Sequence, residues 1–360
     1  MCKELHSRIC FIIPPHIHES IARNGNDRQK EHAYQALSVS AHMRGQREIL
    51  NTFTMLATTP TGVKRRTIYN AQNGLSLPGK LVRGEGDPKS SDTSVNEAYD
   101  GSGKTYDFYL KAFARNSIDD RGLRLDSSVH YRRKFNNAFW NGQQMVYGDG
   151  DGQIFQHFTR SIDVIGHELT HGVTQYEAGL VYQDQPGALN EHFSDVFGSL
   201  VKQFSKKQKA KQADWLIGEG LFAPNIHGTA LRSMKSPGTA YNDPVIGKDP
   251  QPAHMKNFVN TTADFGGVHI NSGIPNKAFY ELAVSLGGFA WEKSGKIWYQ
   301  TLIDKVGPQT QFAECAAMTH EVAGTLFGVG SLEQKAVRSA WAVVGIQIGA
   351  PLAIAAGARR

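Results

Sequence analysis

The stretch Asp163-Val164-Ile165-Gly166-His167-Glu168-Leu169-Thr170-His171 decides how this 360-residue chain is read. His167 and His171 are four apart inside a helical apolar pattern, so both imidazoles leave one face of a helix, about 5–6 Å apart at Cβ. That spacing lets two ring nitrogens reach one zinc ion at about 2.0–2.1 Å. Glu168 sits beside the pair, where its carboxylate can face a metal-bound water rather than the metal. Taken alone, the three residues also fit a helix surface that happens to carry two histidines.

A third ligand is expected from a neighbouring element. An extension of the same helix with Gly at 174 and His at 177 is absent, since Thr174 and Glu177 stand there. Downstream lies Gly187-Ala188-Leu189-Asn190-Glu191-His192-Phe193-Ser194-Asp195. Glu191 is 20 residues beyond His171, enough for a loop and a return helix. Asp195 follows four residues later on the same face, where its carboxylate can accept the free ring N–H of a ligand histidine. The alternative for these two acids is a salt-bridged helix face. Two histidines and one glutamate leave a fourth position for water, which marks a catalytic rather than a closed zinc site.

Around this segment the chain falls into three zones. Residues 1 to about 66 are rich in His and Arg, with a helical pattern at His32–Ile49 and a threonine-rich stretch at Thr52–Thr61. From about 67 to 155, short runs such as Thr105–Phe113 and Met145–Tyr147 alternate with turns and read as strands and hairpins. The run Gly148-Asp149-Gly150-Asp151-Gly152 lacks the rest of an EF-hand loop and reads as a hairpin turn. Beyond 160 the 3.6-residue period dominates. It predicts helices at Ser161–Tyr176, Ala188–Phe204, Pro275–Leu286 and Ser331–Val344, the last with a capping box from Ser331 and Gln334. A β-rich part followed by an α-rich part is an α+β architecture.

Composition removes several classes. With 40% hydrophobic and 20% charged residues, wholesale disorder, collagen and coiled coil are excluded. Cys2, Cys10 and Cys315 are too few for a disulfide scaffold. The 39 basic against 33 acidic residues give +6, and the basic runs 64–66, 132–134 and 206–211 carry no nucleic-acid-binding signature. They read as solvated faces, and no nucleic-acid partner is expected. The apolar run Ile9–Ile13 ends at Pro14-Pro15, and Ala340–Ala358 is broken by Gln347 and Pro351, so no membrane segment is expected. The N-terminus lacks a secretory signal, which predicts cytoplasmic synthesis, with release by another route left open.

Further motifs extend the site. They are Asn136-Asn137-Ala138-Phe139-Trp140-Asn141-Gly142, Gly179-Leu180-Val181-Tyr182, Leu231-Arg232-Ser233-Met234 and Asp264-Phe265-Gly266-Gly267-Val268-His269-Ile270-Asn271-Ser272-Gly273. Together with the two metal-site segments they resemble the thermolysin family of zinc endopeptidases over roughly residues 70–347. The resemblance implies a two-domain fold: a β-rich N-terminal catalytic domain at 61–178 that includes the active-site helix, and an α-helical domain at 179–347. It implies one catalytic zinc on His167, His171 and Glu191, with Glu168 activating the zinc-bound water. Tyr182 and His269 would stabilise the oxyanion, with Asp264 orienting His269. Asn137 and the Ala138 carbonyl would hold the substrate backbone, and Arg232 a substrate carbonyl. Phe155, Phe158, Val164, Ile217, Leu221 and Leu231 would line an apolar pocket, giving cleavage on the amino side of bulky hydrophobic residues.

Two departures from the family are visible. Asp163, Asp214 and Glu219 match carboxylates of its double calcium site, but Lys202 and Leu216 replace two others. An ammonium group is a poor tenant of a cation cage, so Lys202 is expected to pair with Asp163, Asp214 or Glu219 in place of calcium. The leader, with Pro14-Pro15, resembles the protealysin branch, whose short pro-region blocks the cleft. It implies a pro-region at 1–60, with a boundary between 49 and 69, and a tail at 348–360. Pro14 and Pro15 are expected as the blockers because proline cannot donate to an edge strand. Cys10 is either a thiolate lock on zinc or a buried apolar residue. The resulting expectation is a monomeric, self-processing zymogen acting on proteins and peptides, with its own pro-region as partner. The alternative is a permanently inhibited precursor that serves as a zinc-containing interaction module.

Overall fold

The computed structural model describes the backbone of residues 11–50 and 60–349, with side chains from 41 to 50 left aside. Cys10, the 51–59 stretch and the tail from 350 lie outside the described residues. Two helices open the chain, α1 (Pro15–Asn24) and α2 (Asp27–Leu50). Pro14 is the extended N-cap of α1 and Pro15 lies in its first turn, where a missing N–H is no loss. Asn26 and Gln29 exchange backbone-to-side-chain hydrogen bonds of 2.9 and 3.0 Å that start α2.

A five-stranded mixed sheet follows, built from β1 (Arg66–Asn70), β2 (Lys80–Arg83), β3 (Leu125–Val129), β4 (Ala138–Trp140) and β5 (Met145–Tyr147). Its order is β2-β1-β3-β5-β4, with β3 parallel to both neighbours and the two edges antiparallel. β4 is therefore an edge, with one row of backbone groups open to another chain segment. Phe11 pairs antiparallel with Phe139 on that edge.

The strand expected at Thr105–Phe113 is instead the second half of a helix, α3 (Thr93–Phe113). Tyr106, Phe108 and Leu110 mimic a period of two. Tertiary packing decides otherwise, because Tyr109 and Phe113 point together onto Phe197 and Tyr299. Asp92 caps the start by accepting the Ser94 and Val95 N–H groups at 2.9 and 3.4 Å. The Gly148–Gly152 run is likewise no hairpin turn. Asp151 there accepts the backbone N–H groups of Gln153, Ile154 and Phe155, coiling the loop back on itself, while Asp149 holds His130.

The helical half begins with α4 (Ile162–Glu177) and α5 (Asp184–Lys206). α5 starts earlier than the pattern suggested because Pro186 falls in its first turn, where proline is tolerated. The two helices meet at Gly166 and Gly198. A Cβ on Gly198 would stand 2.5 Å from the Asp163 carbonyl, so only glycine permits this approach. A short ribbon of β6 (Leu216–Ile217) and β7 (Arg232–Ser233) places Ile217 opposite Arg232. Helices α6 (Asp264–Asn271), α7 (Gly273–Leu286), α8 (Ser294–Asp304), α9 (Phe312–Phe327) and α10 (Leu332–Val343) complete the half. Ser331 caps α10, accepting the Gln334 N–H at 3.2 Å, but the Gln334 side chain takes the Gly330 N–H, so the expected box is only half formed. Among the described residues no helix is long and apolar enough to cross a membrane.

Candidate active site

The glycine contact between α4 and α5 brings the predicted ligands together. His167 Nε2 and His171 Nε2 are 3.0 Å apart. Glu191 Oε2 lies 3.5 Å from the first, and Oε1 lies 3.4 Å from the second. All three residues are buried. The tautomers follow from their outer partners. His167 Nδ1 faces Asp195 Oδ1 at 2.8 Å, and a carboxylate only accepts, so the proton sits on Nδ1. His171 Nδ1 donates to Asn190 Oδ1 at 2.8 Å, with Ser194 Oγ at 3.0 Å. Both Nε2 lone pairs therefore converge on one point beside the buried Glu191 carboxylate. Such a convergence of donors is repulsive without a cation, and its two nitrogens and one oxygen suit zinc.

Asp195 is the hub behind the first ligand. Arg232 grips it with Nε and Nη2, both at 2.8 Å, and Asn276 Nδ2 donates to it at 2.9 Å. Burial opposes the charge, but Arg232 and His167 hold the carboxyl well below the usual range. Asn276 is set by His192 Nδ1 at 2.8 Å, and His192 Nε2 accepts the Trp298 indole N–H at 2.7 Å. The sequence reading named Asp195 but missed Asn190, Ser194, His192, Asn276 and Trp298. Only the sequence neighbours of Glu191 offered a signal for three of these.

The opposite wall comes from α6. Asp264, Phe265, Gly266 and Gly267 all have left-handed φ values between 50° and 82°. At Gly266 a Cβ would stand 1.9 Å from Asp184 Oδ1, so glycine is required. This tight turn returns Asp264 onto His269: Oδ2 accepts its backbone N–H at 2.9 Å, and Oδ1 its ring Nδ1 at 2.7 Å. His269 Nε2 then faces the cleft, 3.2 Å from the Tyr182 hydroxyl. Tyr182 also donates to Glu191 Oε1. Glu168 Oε2 accepts the Trp140 N–H at 3.0 Å, which ties the expected base to strand β4.

The cleft is filled by the protein's own N-terminal segment. Ile12 donates its N–H to the Ala138 carbonyl at 3.1 Å, and Ile13 donates to Asn137 Oδ1 at 3.0 Å. Arg232 Nη1 approaches the Ile12 carbonyl at 3.4 Å, and His269 Nε2 lies 3.2 Å from the Phe11 carbonyl. Ile12 is fully buried in one apolar cluster with Phe155, Phe158, Val164, Ile217, Leu221 and Leu231. This corrects the expected role of Pro14 and Pro15. They start α1 just past the centre, and the obstruction uses the N–H groups of Ile12 and Ile13, the very donors that proline lacks. Behind them His16 Nε2 meets the Tyr241 hydroxyl at 2.8 Å, and His18 Nε2 meets Asn137 Nδ2 at 3.3 Å.

Lys202 is buried with its Nζ 2.8 Å from Asp163 Oδ2, 2.7 Å from Asp214 Oδ1 and 2.6 Å from the Leu216 carbonyl. Burial lowers its pKa, but the two aspartates prevail and raise it. Glu219 is exposed, so the predicted pairing involves two of the three acids considered.

Comparison with known proteins agrees with this geometry. Family models described as "Thermolysin metallopeptidase, catalytic domain" and "Thermolysin metallopeptidase, alpha-helical domain" match residues 29–175 and 178–346. The chain thus belongs to the thermolysin family of metallopeptidases, a family of hydrolases. Within it the chain is protealysin-like. The solved precursor of protealysin, a metalloproteinase from Serratia proteamaculans, is 53% identical, with a TM-score of 0.85 over 94% of this chain and 99% of that one. An extracellular metalloprotease of Pectobacterium carotovorum subsp. carotovorum is 50% identical over 346 residues, covering 94% of this chain and 97% of that protein. Thermolysin of Alicyclobacillus acidocaldarius subsp. acidocaldarius is 43% identical over 288 residues, which span 77% of this chain and 50% of that protein.

Proposed function

We propose that the chain is the self-inhibited precursor of a zinc endopeptidase that frees itself by its own cleavage at a boundary between residues 49 and 69. The observation that carries this reading is one cleft holding both the converging His167, His171 and Glu191 side chains and the Phe11–Ile13 backbone. Zinc on those three ligands would supply Lewis acidity at the attacking water and the scissile carbonyl. Glu168, steadied by the Trp140 N–H, takes the water proton and delivers it to the leaving amine. Tyr182 and His269 donate to the developing oxyanion, a contribution of about 2.7–4 kcal/mol per donor in comparable sites. Asp264 keeps His269 turned toward the cleft, and Asp195 keeps His167 in the ligating tautomer. Asn137, the Ala138 carbonyl and Arg232 position the peptide backbone. The apolar pocket selects bulky hydrophobic residues on the amine side of the cut bond.

Metal removal tests the reading. Treating the processed protein with a strong chelator is expected to abolish casein hydrolysis and lower the unfolding midpoint, and one equivalent of zinc is expected to restore both. Activity that survives complete zinc removal would refute it.

We further propose that Lys202 occupies the place of the family's calcium ions. Lys202→Ala leaves Asp163 buried without its partner and is expected to destabilise the fold by about 3–5 kcal/mol in denaturant titration. Calcium is expected to leave the wild-type midpoint where it is. A large upward shift on adding calcium to wild type would contradict the substitution.

A further inference from the structure

We infer that the inhibitory segment is also a substrate: the enzyme cuts its own Phe11–Ile12 bond, separately from the boundary cleavage that frees the catalytic domain. This rests on the endopeptidase reading above and adds the direction and register in which the segment lies. A segment that merely obstructs a cleft can lie backward or out of step with the catalytic groups. Here every group proposed to hold a substrate is engaged, in chain order, by three consecutive residues. His269 Nε2 is 3.2 Å from the Phe11 carbonyl oxygen, and the same nitrogen is 3.2 Å from the Tyr182 hydroxyl and 3.6 Å from Glu191 Oε1. The Phe11 carbonyl is therefore the one that enters the catalytic centre. The next N–H, on Ile12, is held by Ala138 O at 3.1 Å. The Ile12 carbonyl meets Arg232 at 3.4 Å, and the Ile13 N–H meets Asn137 at 3.0 Å.

The side chains agree with the backbone. Ile12 is fully buried in the main apolar core, so a bulky apolar residue stands on the amine side of the bond at the centre. Phe11 lies on the other side, its ring 4.8 Å from that of Phe139. Strand β4 sets both partners of the reaction, since its Ala138 carbonyl holds the Ile12 N–H while its Trp140 N–H holds Glu168. The step balances with water alone. The water oxygen bonds to the Phe11 carbonyl carbon, the Phe11–Ile12 C–N bond breaks, and both water protons end on the Ile12 nitrogen. The products are a Phe11 carboxylate and an Ile12 ammonium. Because α1 begins at Pro15, the new Ile12 amine stays anchored in the cleft, while the freed residues 1–11 are held there only by non-covalent contacts.

Two reactions run side by side test the register. The zinc-loaded full-length chain is followed by intact mass and N-terminal sequencing. A synthetic peptide of residues 8–18 is incubated with the processed enzyme, with casein as a parallel substrate. The expected results are a precursor species beginning at Ile12, and peptide cleavage at Phe11–Ile12 about tenfold or more above the adjacent Cys10–Phe11 and Ile12–Ile13 bonds. Ile12→Pro in the peptide removes the N–H that Ala138 accepts and is expected to abolish that cut. If casein is hydrolysed while the peptide stays intact or is cut mainly elsewhere, the register is wrong and the inference falls, with the proposed activity standing. If casein itself is untouched, both fall.

Discussion

Glu168→Ala is expected to remain at full length for as long as it is incubated, while the wild-type chain acquires a new N-terminus between residues 49 and 69. The side chain lies on α4, and its Oε2 is fixed by the Trp140 N–H at 3.0 Å. Among the described residues no other carboxylate side chain accepts a backbone N–H of edge strand β4. General acid–base catalysis by a positioned group contributes about 10²–10⁴-fold, so a trace of wild-type enzyme added to release the mutant domain is expected to leave casein hydrolysis reduced by at least that much. The zinc content of the mutant is expected to stay at one equivalent, because Glu168 is not among the converging ligands. Processing of the mutant at the wild-type rate would sink the proposal that the chain cleaves itself. Loss of zinc along with activity would instead show a role in building the site.

Mild acid is expected to loosen the inhibitory segment. His16 and His18 dock as neutral rings between the segment and the catalytic domain. Burial lowers His16 to about 4, with Asp264 pulling upward and His269 and Arg232 pushing down. Burial lowers His18 to about 3, with His16 adding to the effect and Asp151 opposing it. Asn137 and the Tyr241 hydroxyl are their hydrogen-bond partners, and a protonated His18 would set its Nε2–H against the Asn137 amide. In a released segment both rings return to about 6.5, so the undocked state binds more protons. Docking is therefore at full strength above about pH 6.5 and weakens as pH falls toward the docked values. At pH 5 the loss is roughly 2 kcal/mol per ring, or roughly 10³-fold together. Hydrogen exchange at residues 11–24 in the Glu168→Ala chain, corrected for intrinsic rates, measures this directly. Protection that is flat from pH 7.5 to 5 would rule it out, and a His16→Gln, His18→Gln double variant is expected to show such a flat profile.

The metal centre was legible because it is written in short-range code. A four-residue spacing on one helix, and a second such spacing on the next, determine which side chains share a face before any tertiary contact is known. His167, His171, Glu191 and Asp195 accordingly meet as the spacing implied. The network behind them was not legible. Asn276 donates to Asp195 directly and Trp298 backs it through His192, each across more than 80 residues of chain, and nothing local marks them. Thr105–Phe113 misled because alternating aromatics satisfy a strand and a helix equally until the surface they pack on is known. Pro14-Pro15 misled in another way. The pair is conspicuous as a sequence, but its work is to begin α1 and aim the preceding residues, whereas the plain apolar Phe11-Ile12-Ile13 carries the hydrogen bonds.

The helical hairpin of α1 and α2 joins the cleft-filling residues to the catalytic domain through one continuous chain. While that chain is whole, the inhibitor is tethered to its target and faces an effective concentration set by the linker, in the millimolar range for short flexible links. The proposed cleavage at the 49–69 boundary would change no contact in the cleft, yet it would turn a tethered occupant into an ordinary ligand that can diffuse away. From then on the fraction of active enzyme depends on how dilute the protein is. A concentrated store of cut molecules stays largely silent, and dispersal into a larger volume completes the activation that the bond cleavage began.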